Sequence, residues 1–267
     1  AFHIKSMAGN IHGRNYVNIL LTGHKGFIGS SLIKALELNH TVTGIDLQDG
    51  DDLLTCDFPN KDFDLIIHLA GRSGVRESIN DPSAYWYNNI DASRRLFDRY
   101  EATRILYASS SSAYEPDLNP YAASKHVLEE LASRYPNTLG MRFHTVYSDT
   151  PRKNMFFDKL FNNKLEYVTR HYRDFVHLYD VIDAINILIE ADHVNGVLDI
   201  GSGVPIRVQD LSPNVPVRLN TPTEREYTCA NLEKMKALGF KPKYSIKKYL
   251  TKQQKSNIIN IITGETV

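Results

Sequence analysis

The chain has 267 residues, enough for one large domain or for one domain with a small second lobe. Its 31 basic residues balance 31 acidic ones, so the net charge gives no reason to expect nucleic acid or an anionic membrane as a partner. The two cysteines stand far apart in no metal-binding spacing, and no apolar run approaches the length of a membrane helix. We therefore expect a cytoplasmic protein without a disulfide framework, a metal site or a membrane partner.

Apolar strands alternate with helical patterns from residue 16 onward. The predicted strands are Tyr16–Thr22, Thr41–Ile45, Asp64–Gly71, Arg104–Ala108, Thr138–Phe143 and Val197–Ile200, and the main helices are Ser83–Tyr100, Pro120–Tyr135 and Val181–Ile189. This alternation is typical of a parallel sheet, because helices join its strands and cover both faces. The sequence predicts an α/β fold: a Rossmann-type doubly wound parallel sheet with a small C-terminal α/β lobe that would bind the substrate.

The predicted boundaries follow the places where this alternation becomes irregular. Residues 15–148 form the Rossmann domain, to which 174–204 return, whereas 149–173 and 205–250 form the small lobe. Residues 1–14 are polar and irregular, which indicates a tag or a disordered arm. The tail 251–267 receives no predicted role.

A glycine-rich loop lies between the first strand and the helical pattern that follows it. Gly23, Gly26 and Gly29 are spaced three apart, with Phe27 and Ile28 between the last two. Such glycines let the backbone approach a pyrophosphate, whose charge is met by the helix N-terminus. Taken alone, the loop fits an ordinary turn about equally well, because glycine is common in turns.

The second predicted strand ends in Asp46, at about the distance along the chain where an acid binds adenosine ribose hydroxyls. A carboxylate there repels a 2′-phosphate, so NAD is favoured over NADP as the cofactor. The alternative is a solvated turn aspartate. Asp57 and Phe58 could meet the adenine, although a short acidic loop explains both residues almost as well.

The third predicted strand opens into a loop that we expect beside the cofactor. Leu69, Ala70 and Gly71 make up the start of this loop. His68 precedes them inside an apolar run, where a core histidine with satisfied ring nitrogens is a better explanation than a catalyst.

Tyr121 and Lys125 stand four apart on a predicted helix whose N-cap is Asn119, so both side chains share one face. The spacing alone is no better than chance, since Tyr244 and Lys248 repeat it. Only the first pair follows a run of serines and a dinucleotide-binding pattern. We therefore interpret Tyr121 as a base and Tyr244 as a surface residue.

A free tyrosine phenol has a pKa of about 10 and is a poor base at neutral pH. A nearby ammonium and an oxidised nicotinamide would have to lower it. Lys125 can supply that ammonium and can also hold the nicotinamide ribose. A hydroxyl of the serine run Ser109–Ser112 would steady the substrate and relay the proton.

Together these motifs resemble an extended short-chain dehydrogenase/reductase of the nucleotide-sugar epimerase/dehydratase family, over roughly residues 16 to 250. The resemblance rests on Thr22–Gly29, His68–Gly71, the serine run, Tyr121-x-x-x-Lys125, Arg142–Tyr147 and Arg173–His177. The segments Gly74–Tyr85, Asn89 and Thr145–Met155 are most similar to UDP-glucuronate 4-epimerases.

The resemblance implies an NAD-dependent 4-epimerase of nucleotide sugars, with a UDP-sugar as the expected substrate. Ser110, Tyr121 and Lys125 would be catalytic: the C4 hydride passes to NAD, Tyr121 takes the hydroxyl proton, and the hydride returns to the other face of the 4-keto sugar. It implies a homodimer formed by the two long helices. The substrate-binding residues carried over are Arg76, Ser111, Ser112, Thr145, Arg173 and Arg225.

The chain also departs from the family pattern. Tyr114 of the serine motif and Tyr121 are only seven positions apart, whereas relatives carry a much longer loop there. Ser111 and Ser112 stand where 4,6-dehydratases have an Asp-Glu pair, which argues against water elimination. A nucleotide-sugar ketoreductase that releases its cofactor at each turnover, and a non-catalytic NAD- or sugar-nucleotide-binding protein, remain the alternatives.

Overall fold

The structure is a computed structural model that describes residues 17–219 and 221–253. The expected arm at 1–14 and most of the tail 251–267 lie outside these ranges. Within them, no helix combines the length and the apolar character needed to cross a membrane.

Strands and helices alternate along the first half of the chain, and shorter elements follow. The strands are β1 (Asn18–Thr22), β2 (Thr41–Ile45), β3 (Leu65–His68), β4 (Arg104–Ser110), β5 (Thr138–Phe143), β6 (Thr145–Tyr147), β7 (Val168–Thr169), β8 (Tyr172–His177), β9 (Gly196–Ile200), β10 (Pro205–Arg207) and β11 (Val217–Arg218). The α-helices are α1 (Gly29–Leu36), α2 (Val75–Asn80), α3 (Pro82–Trp86), α4 (Ala92–Arg99), α5 (Pro120–Ala132), α6 (Phe156–Phe161), α7 (Leu178–Glu190) and α8 (Glu233–Ala237). Residues 246–253 are also helical.

A six-stranded sheet has the strand order β2-β1-β3-β4-β5-β9. The pairs β1–β2, β1–β3, β3–β4 and β4–β5 are parallel. Because β1 lies between β2 and β3, the chain leaves β1 toward one side of the sheet and later continues on the other. Ligands bind at such a switch point, outside the carboxyl ends of the strands. The predicted Rossmann-type doubly wound parallel sheet is confirmed.

The chain divides by its contacts into two units, which do not coincide with the predicted boundaries. Within the described residues, the first unit comprises residues 17–143, with Ile185–Asp199 and Thr221–Arg225. The second comprises His144–Ala184, residues 200–219 and residues 226–253. The sequence placed 174–204 with the Rossmann domain, whereas the contacts assign only 185–199 of that range to the first unit. The reason is that β8 pairs with β6 and β10 rather than with the large sheet.

Apolar side chains fill the first unit because its central strands are covered on both faces. All four residues of β3 and the three residues Ile19–Leu21 of β1 are buried. Leu96 and Phe97 of α4 and Leu128 of α5 join the same core cluster. The second unit has its own core around Tyr147, Phe157, Val168, Phe175, Val208, Ile246 and Tyr249.

Three sequence expectations differ from the structure. The single helix predicted over Ser83–Tyr100 is α3 and α4, joined by a π-helical turn at Tyr87–Asp91. The helix predicted over Pro120–Tyr135 is α5, which ends at Ala132. Tyr244 is not a surface residue: its half-buried ring stacks on His177 at 4.3 Å between centroids, and its amide donates to Asp180.

Candidate active site

In the glycine loop between β1 and α1, the backbone at Gly23 and Gly29 lies so close to other backbone atoms that no side chain would fit at either position. A Cβ on Gly23, whose φ is +74°, would lie 2.6 Å from the Ala70 amide nitrogen, and one on Gly29 would lie 2.1 Å from the Gly23 carbonyl oxygen. Phe27 and Ile28 are half-buried just before α1 begins at Gly29. This helix has no side-chain N-cap hydrogen bond and no acidic residue in its first turn, so its N-terminus suits an anion.

Asp46 stands directly after β2 and is buried beside this loop. Its Oδ2 accepts a hydrogen bond from the Lys25 amide at 2.8 Å, and its Oδ1 accepts one from the Gln48 amide at 2.9 Å. The carboxylate therefore joins the end of β2 to the glycine loop. Further along, Asp57 is exposed, and the Phe58 ring lies 4.8 Å from the Arg95 guanidinium.

The loop after β3 crosses the same edge of the sheet. The Leu69 amide donates to the Thr22 carbonyl at 3.0 Å, which places Leu69 and Ala70 beside the glycine loop. Gly71 has φ +155°, and a Cβ there would lie 2.8 Å from the Asn89 Oδ1 and 3.6 Å from the Lys125 Nζ. The backbone at Gly71 thus runs close to the lysine predicted to be catalytic.

Lys125 lies inside α5 with only 5% of its surface exposed. Its Nζ donates a hydrogen bond to the Ala108 carbonyl at 2.8 Å, near the end of β4. Burial lowers the pKa of this ammonium to about 8, although the negative charge of Glu129 opposes the shift. Such a lowered value is common for lysines at functional sites.

Ser110 and Tyr121 occupy the two ends of the short segment that links β4 to α5. Ser110 is buried at the end of β4, and its hydroxyl accepts a hydrogen bond from the Ser112 amide at 3.1 Å. Tyr121 is half-buried in the first turn of α5, and its ring meets that of Tyr85 edge to face at 6.0 Å. The helix begins as the sequence predicts, because Asn119 Oδ1 accepts from the Ala122 amide at 2.8 Å.

His68 is a satisfied core residue, as predicted. Its Nδ1 lies 2.6 Å from the Thr22 hydroxyl and its Nε2 lies 2.8 Å from the Ser93 hydroxyl. Burial, followed by the positive charge of Lys125, lowers its pKa to about 3. This histidine stays neutral at physiological pH and has no free nitrogen for chemistry.

The predicted substrate-binding residues of the first unit lie around the serine run. Arg76 Nη2 lies 3.1 Å from a Glu224 carboxylate oxygen. Arg225 donates at 2.7 Å both to Glu115 and to the carbonyl of Ser111.

The two predicted substrate-binding residues of the second unit lie on neighbouring strands. Thr145 belongs to β6, and Arg173 of β8 donates to the Nδ1 of His171 at 3.0 Å.

Two polar groups at this site were missed as functional residues in the sequence. Asn89 is fully buried: its Nδ2 donates to Arg72 and Ser124, and its Oδ1 accepts from the Arg72 amide. Glu129 accepts from Ser109 and binds Arg142 through two hydrogen bonds of 2.8 and 2.6 Å. In both cases the sequence contained one clue to such a role, which was a polar residue on the otherwise apolar face of a helix.

Comparisons with known proteins identify the family and the fold. The model of the NAD dependent epimerase/dehydratase family matches residues 19–201. Protein CapI of Staphylococcus aureus is 29% identical, over 76% of this chain and 80% of its own length. Among solved structures, MoeE5 in complex with UDP-glucuronic acid and NAD has 25% identity and a TM-score of 0.75, covering 90% of this chain and 99% of its own. UDP-glucuronic acid 4-epimerase from Bacillus cereus, in complex with UDP-glucuronic acid and NAD, has 25% identity and a TM-score of 0.74, covering 88% of this chain and 96% of its own.

The resemblance inferred from the motifs is thereby confirmed at the level of the family. Because the family model matches more than half of the residues, the chain belongs to the NAD dependent epimerase/dehydratase family.

Proposed function

We propose that this protein is an NAD-dependent nucleotide-sugar 4-epimerase that acts on a UDP-hexose or UDP-hexuronate. The observation that carries the proposal is the buried Lys125 ammonium, which lies one helical turn after Tyr121 and is bound to the end of β4. The backbone of Gly71 passes close to that ammonium. An amine, a phenol and a serine hydroxyl are the groups needed to move a proton to and from an alcohol oxygen, while a bound nicotinamide would accept and return the hydride.

The residues at the sheet edge fit a dinucleotide. Gly23, Gly26, Phe27, Ile28 and Gly29 would hold the pyrophosphate, because Gly23 and Gly29 permit a turn too tight for side chains and the α1 N-terminus has no side-chain cap. Asp46 would accept from the adenosine ribose, and Asp57 and Phe58 would meet the adenine. Leu69, Ala70, Gly71, Tyr121 and Lys125 would surround the nicotinamide end. Bound NAD would supply the hydride acceptor and return the hydride.

The three catalytic residues divide the proton chemistry among them. Tyr121 takes the proton from the C4 hydroxyl of the sugar and gives it back when the alcohol re-forms. Lys125 favours the phenolate form of that tyrosine through its positive charge. The Ser110 hydroxyl hydrogen-bonds the reacting oxygen. Rotation of the 4-keto sugar before the hydride returns would invert C4, with no net oxidation or reduction.

The assignment of a UDP-sugar is supported by relatives of the same fold. MoeE5 is in complex with UDP-glucuronic acid in one structure and with UDP-glucose in another, each with NAD. In this chain, Arg76, Ser111, Ser112, Thr145 and Arg173 are the proposed substrate contacts. We further propose a cytoplasmic homodimer that pairs the two long helical stretches Ser83–Tyr100 and Pro120–Tyr135 of two copies.

An epimerisation panel tests the proposal. The protein is incubated with UDP-glucose, UDP-glucuronate and their N-acetyl relatives, and the anomeric proton signals are followed. Tyr121→Phe should lower the rate by about 10³-fold, since general base catalysis contributes about 10²–10⁴-fold. Tyr244→Phe, from the pair with the same spacing, is the matched control and should retain full activity.

NAD retention separates the alternatives. An epimerase restores its cofactor within each cycle and should carry NAD through gel filtration. A ketoreductase would instead consume added NADH or NADPH and release the oxidised form. Absence of any C4 epimer across the panel would overturn the proposal, and turnover unaffected by Tyr121→Phe would overturn the assigned base.

A further inference from the structure

Five residues from the C-terminal part of the chain, Thr221–Arg225, group with the first unit by their contacts. We call this segment the strap. Three successive strap residues are fastened to three different elements of that unit. The Thr223 carbonyl accepts from Asn119 Nδ2 at 2.9 Å, Glu224 binds Arg76 of α2, and Arg225 binds the serine run and Glu115.

The Arg225 guanidinium bridges two acceptors that belong to one short stretch of chain. Its Nε donates to Glu115 Oε1 and its Nη1 donates to the Ser111 carbonyl, each at 2.7 Å. The same group lies 5.2 Å from the centroid of the Tyr114 ring. A rigid planar fork holds these two bonds in a fixed geometry with little loss of freedom, whereas a lysine ammonium is a compact charge at the end of a flexible stem.

The strap contacts both ends of the segment 115–119, which connects the serine run to α5. Glu115 begins this segment and pairs with Arg225. Asn119 ends it, and the two atoms of its amide have different partners: Oδ1 caps α5, and Nδ2 donates to the strap. The connection that brings Ser110 and Tyr121 within one site is therefore held from outside at both ends.

We propose that the strap, through Arg225, positions Ser110 relative to Tyr121, and that Arg225 is a positioning residue rather than a substrate ligand. The inference rests on the proposed epimerase function. Its physical basis is the short connection: Pro116 and Leu118 are half-buried whereas Glu115 and Asp117 are exposed, so the bonds of Glu115 and Asn119 to the strap add to the packing that fixes this segment. A displacement of about 1 Å between a base and the reacting group can cost about 10²-fold in rate.

The contacts of Arg225 argue against a substrate-binding role. A guanidinium that bound a diphosphate or a sugar carboxylate would have to give up its bonds to Glu115 and Ser111. The Glu115 carboxylate already balances its charge. The Arg225 guanidinium is thus already bonded to Glu115 and Ser111 before a substrate binds.

Steady-state kinetics on the NAD-loaded protein test this inference. Arg225→Gln, Glu115→Gln and Asn119→Ser should each lower kcat by about tenfold or more, because the groups they hold move apart. Serine keeps the helix cap but lacks the amide donor to the strap. KM should stay within about twofold, whereas Arg173→Gln, a proposed substrate contact, should raise KM. Arg134→Gln, at an exposed position two residues after the end of α5, is the control and should change neither constant.

The energetic coupling between Arg225 and Glu115, measured with single and double variants, gives a second readout. If Arg225 acts through Glu115, the double variant should be little slower than either single variant. Arg225→Lys should recover only part of the rate, because one ammonium cannot replace the fork. A raised KM with unchanged kcat for Arg225→Gln, or no effect of Glu115→Gln, would overturn the inference.

Hydrogen exchange separates this inference from the proposed function. In Arg225→Gln, peptides covering 111–122 should exchange faster than in the unchanged protein, whether or not any sugar nucleotide is epimerised. If the unchanged protein epimerises no member of the panel, the proposed function fails while faster exchange still supports the strap. Unchanged exchange in this region would refute the strap even in an active epimerase.

Discussion

Replacing Lys125 by methionine should abolish catalysis and, at the same time, make the fold more stable. Methionine has nearly the same length and flexibility but carries no charge. In the protein the lysine ammonium is buried in α5, where its own charge is unfavourable. The variant therefore separates what the site needs for chemistry from what the fold needs for stability.

The magnitude follows from the pKa of the buried ammonium. A fall from 10.5 to about 8 corresponds to about 3 kcal/mol of preference for the neutral form. The hydrogen bond to the Ala108 carbonyl, which methionine cannot make, offsets about 1 kcal/mol of that gain. The expected increase in the free energy of unfolding at pH 7 is therefore about 2 kcal/mol.

The gain should depend on pH in a defined direction. The pKa in the folded state lies below the unfolded value, so the unfolded chain binds more protons between pH 8 and 10.5. The contribution of this lysine to the stability of the unchanged protein should rise with pH across this window. The advantage of Lys125→Met should be fully present below pH 8 and should shrink above it.

Urea unfolding at pH 7 and pH 10, with the NAD content of both proteins matched, measures the effect. Lys248→Met is the control, because this lysine is exposed and belongs to the pair with the same spacing. It should leave the free energy of unfolding within about 0.5 kcal/mol of the original value. A Lys125→Met protein that is less stable than the original at pH 7 would refute the reasoning, since burial of the charge would then not be costly.

Three other substitutions probe the surroundings of this lysine. Gly71→Ala should lower the free energy of unfolding by about 1–3 kcal/mol and reduce NAD retention, because the new Cβ meets Asn89 and the φ of +155° is unfavourable; urea unfolding and absorbance after gel filtration measure both. Glu129→Gln should cost about 3 kcal/mol in urea unfolding, because the Arg142 guanidinium loses its buried carboxylate. Asp46→Asn should narrow the preference for NAD over NADP by about tenfold in fluorescence titrations, since the charge that would repel a 2′-phosphate is gone.

Each of these variants has a matched control in the chain. Gly50 also has a positive φ, of +92°, but a Cβ there would meet nothing within 4 Å, so Gly50→Ala isolates the contact with Asn89. Glu130→Gln changes an exposed neighbour of Glu129. Asp49→Asn removes a charge that pairs with Lys25 of the glycine loop and leaves the Asp46 carboxylate in place. Equal effects in a variant and its control would contradict the explanation of that variant.

Much of the large sheet could be predicted because local pattern and tertiary structure agree there. β2 and β5 have the predicted bounds, and the Asn119 cap of α5 forms as expected. These elements have local signals: β-branched residues in β2, alternating apolar residues in β5, and an N-cap followed by proline before α5. The satisfied environment of His68 followed from the same logic, since a polar group inside an apolar strand needs partners.

The remaining features depend on contacts between distant parts of the sequence. The pairing of β8 with β6 and β10 has no local signature, so a boundary drawn from pattern alone could not anticipate that residues 174–184 group with the second unit. The same holds for the strap, where Glu224 and Arg225 meet partners more than a hundred positions away. Tyr244 resembled a surface residue because the sequence does not reveal the His177 ring beneath it.

The π-helical turn at Tyr87–Asp91 rotates the side chains of α4 about the helix axis relative to those of α3, although no loop separates the two helices. One extra residue in a helix turns everything after it by about 100°. Asn89 lies within this turn, and its side chain faces the Gly71 loop. Deleting a single residue there would restore a continuous helix and rotate the asparagine away from the loop. The length of this stretch is therefore as much a part of the site as the identity of its residues.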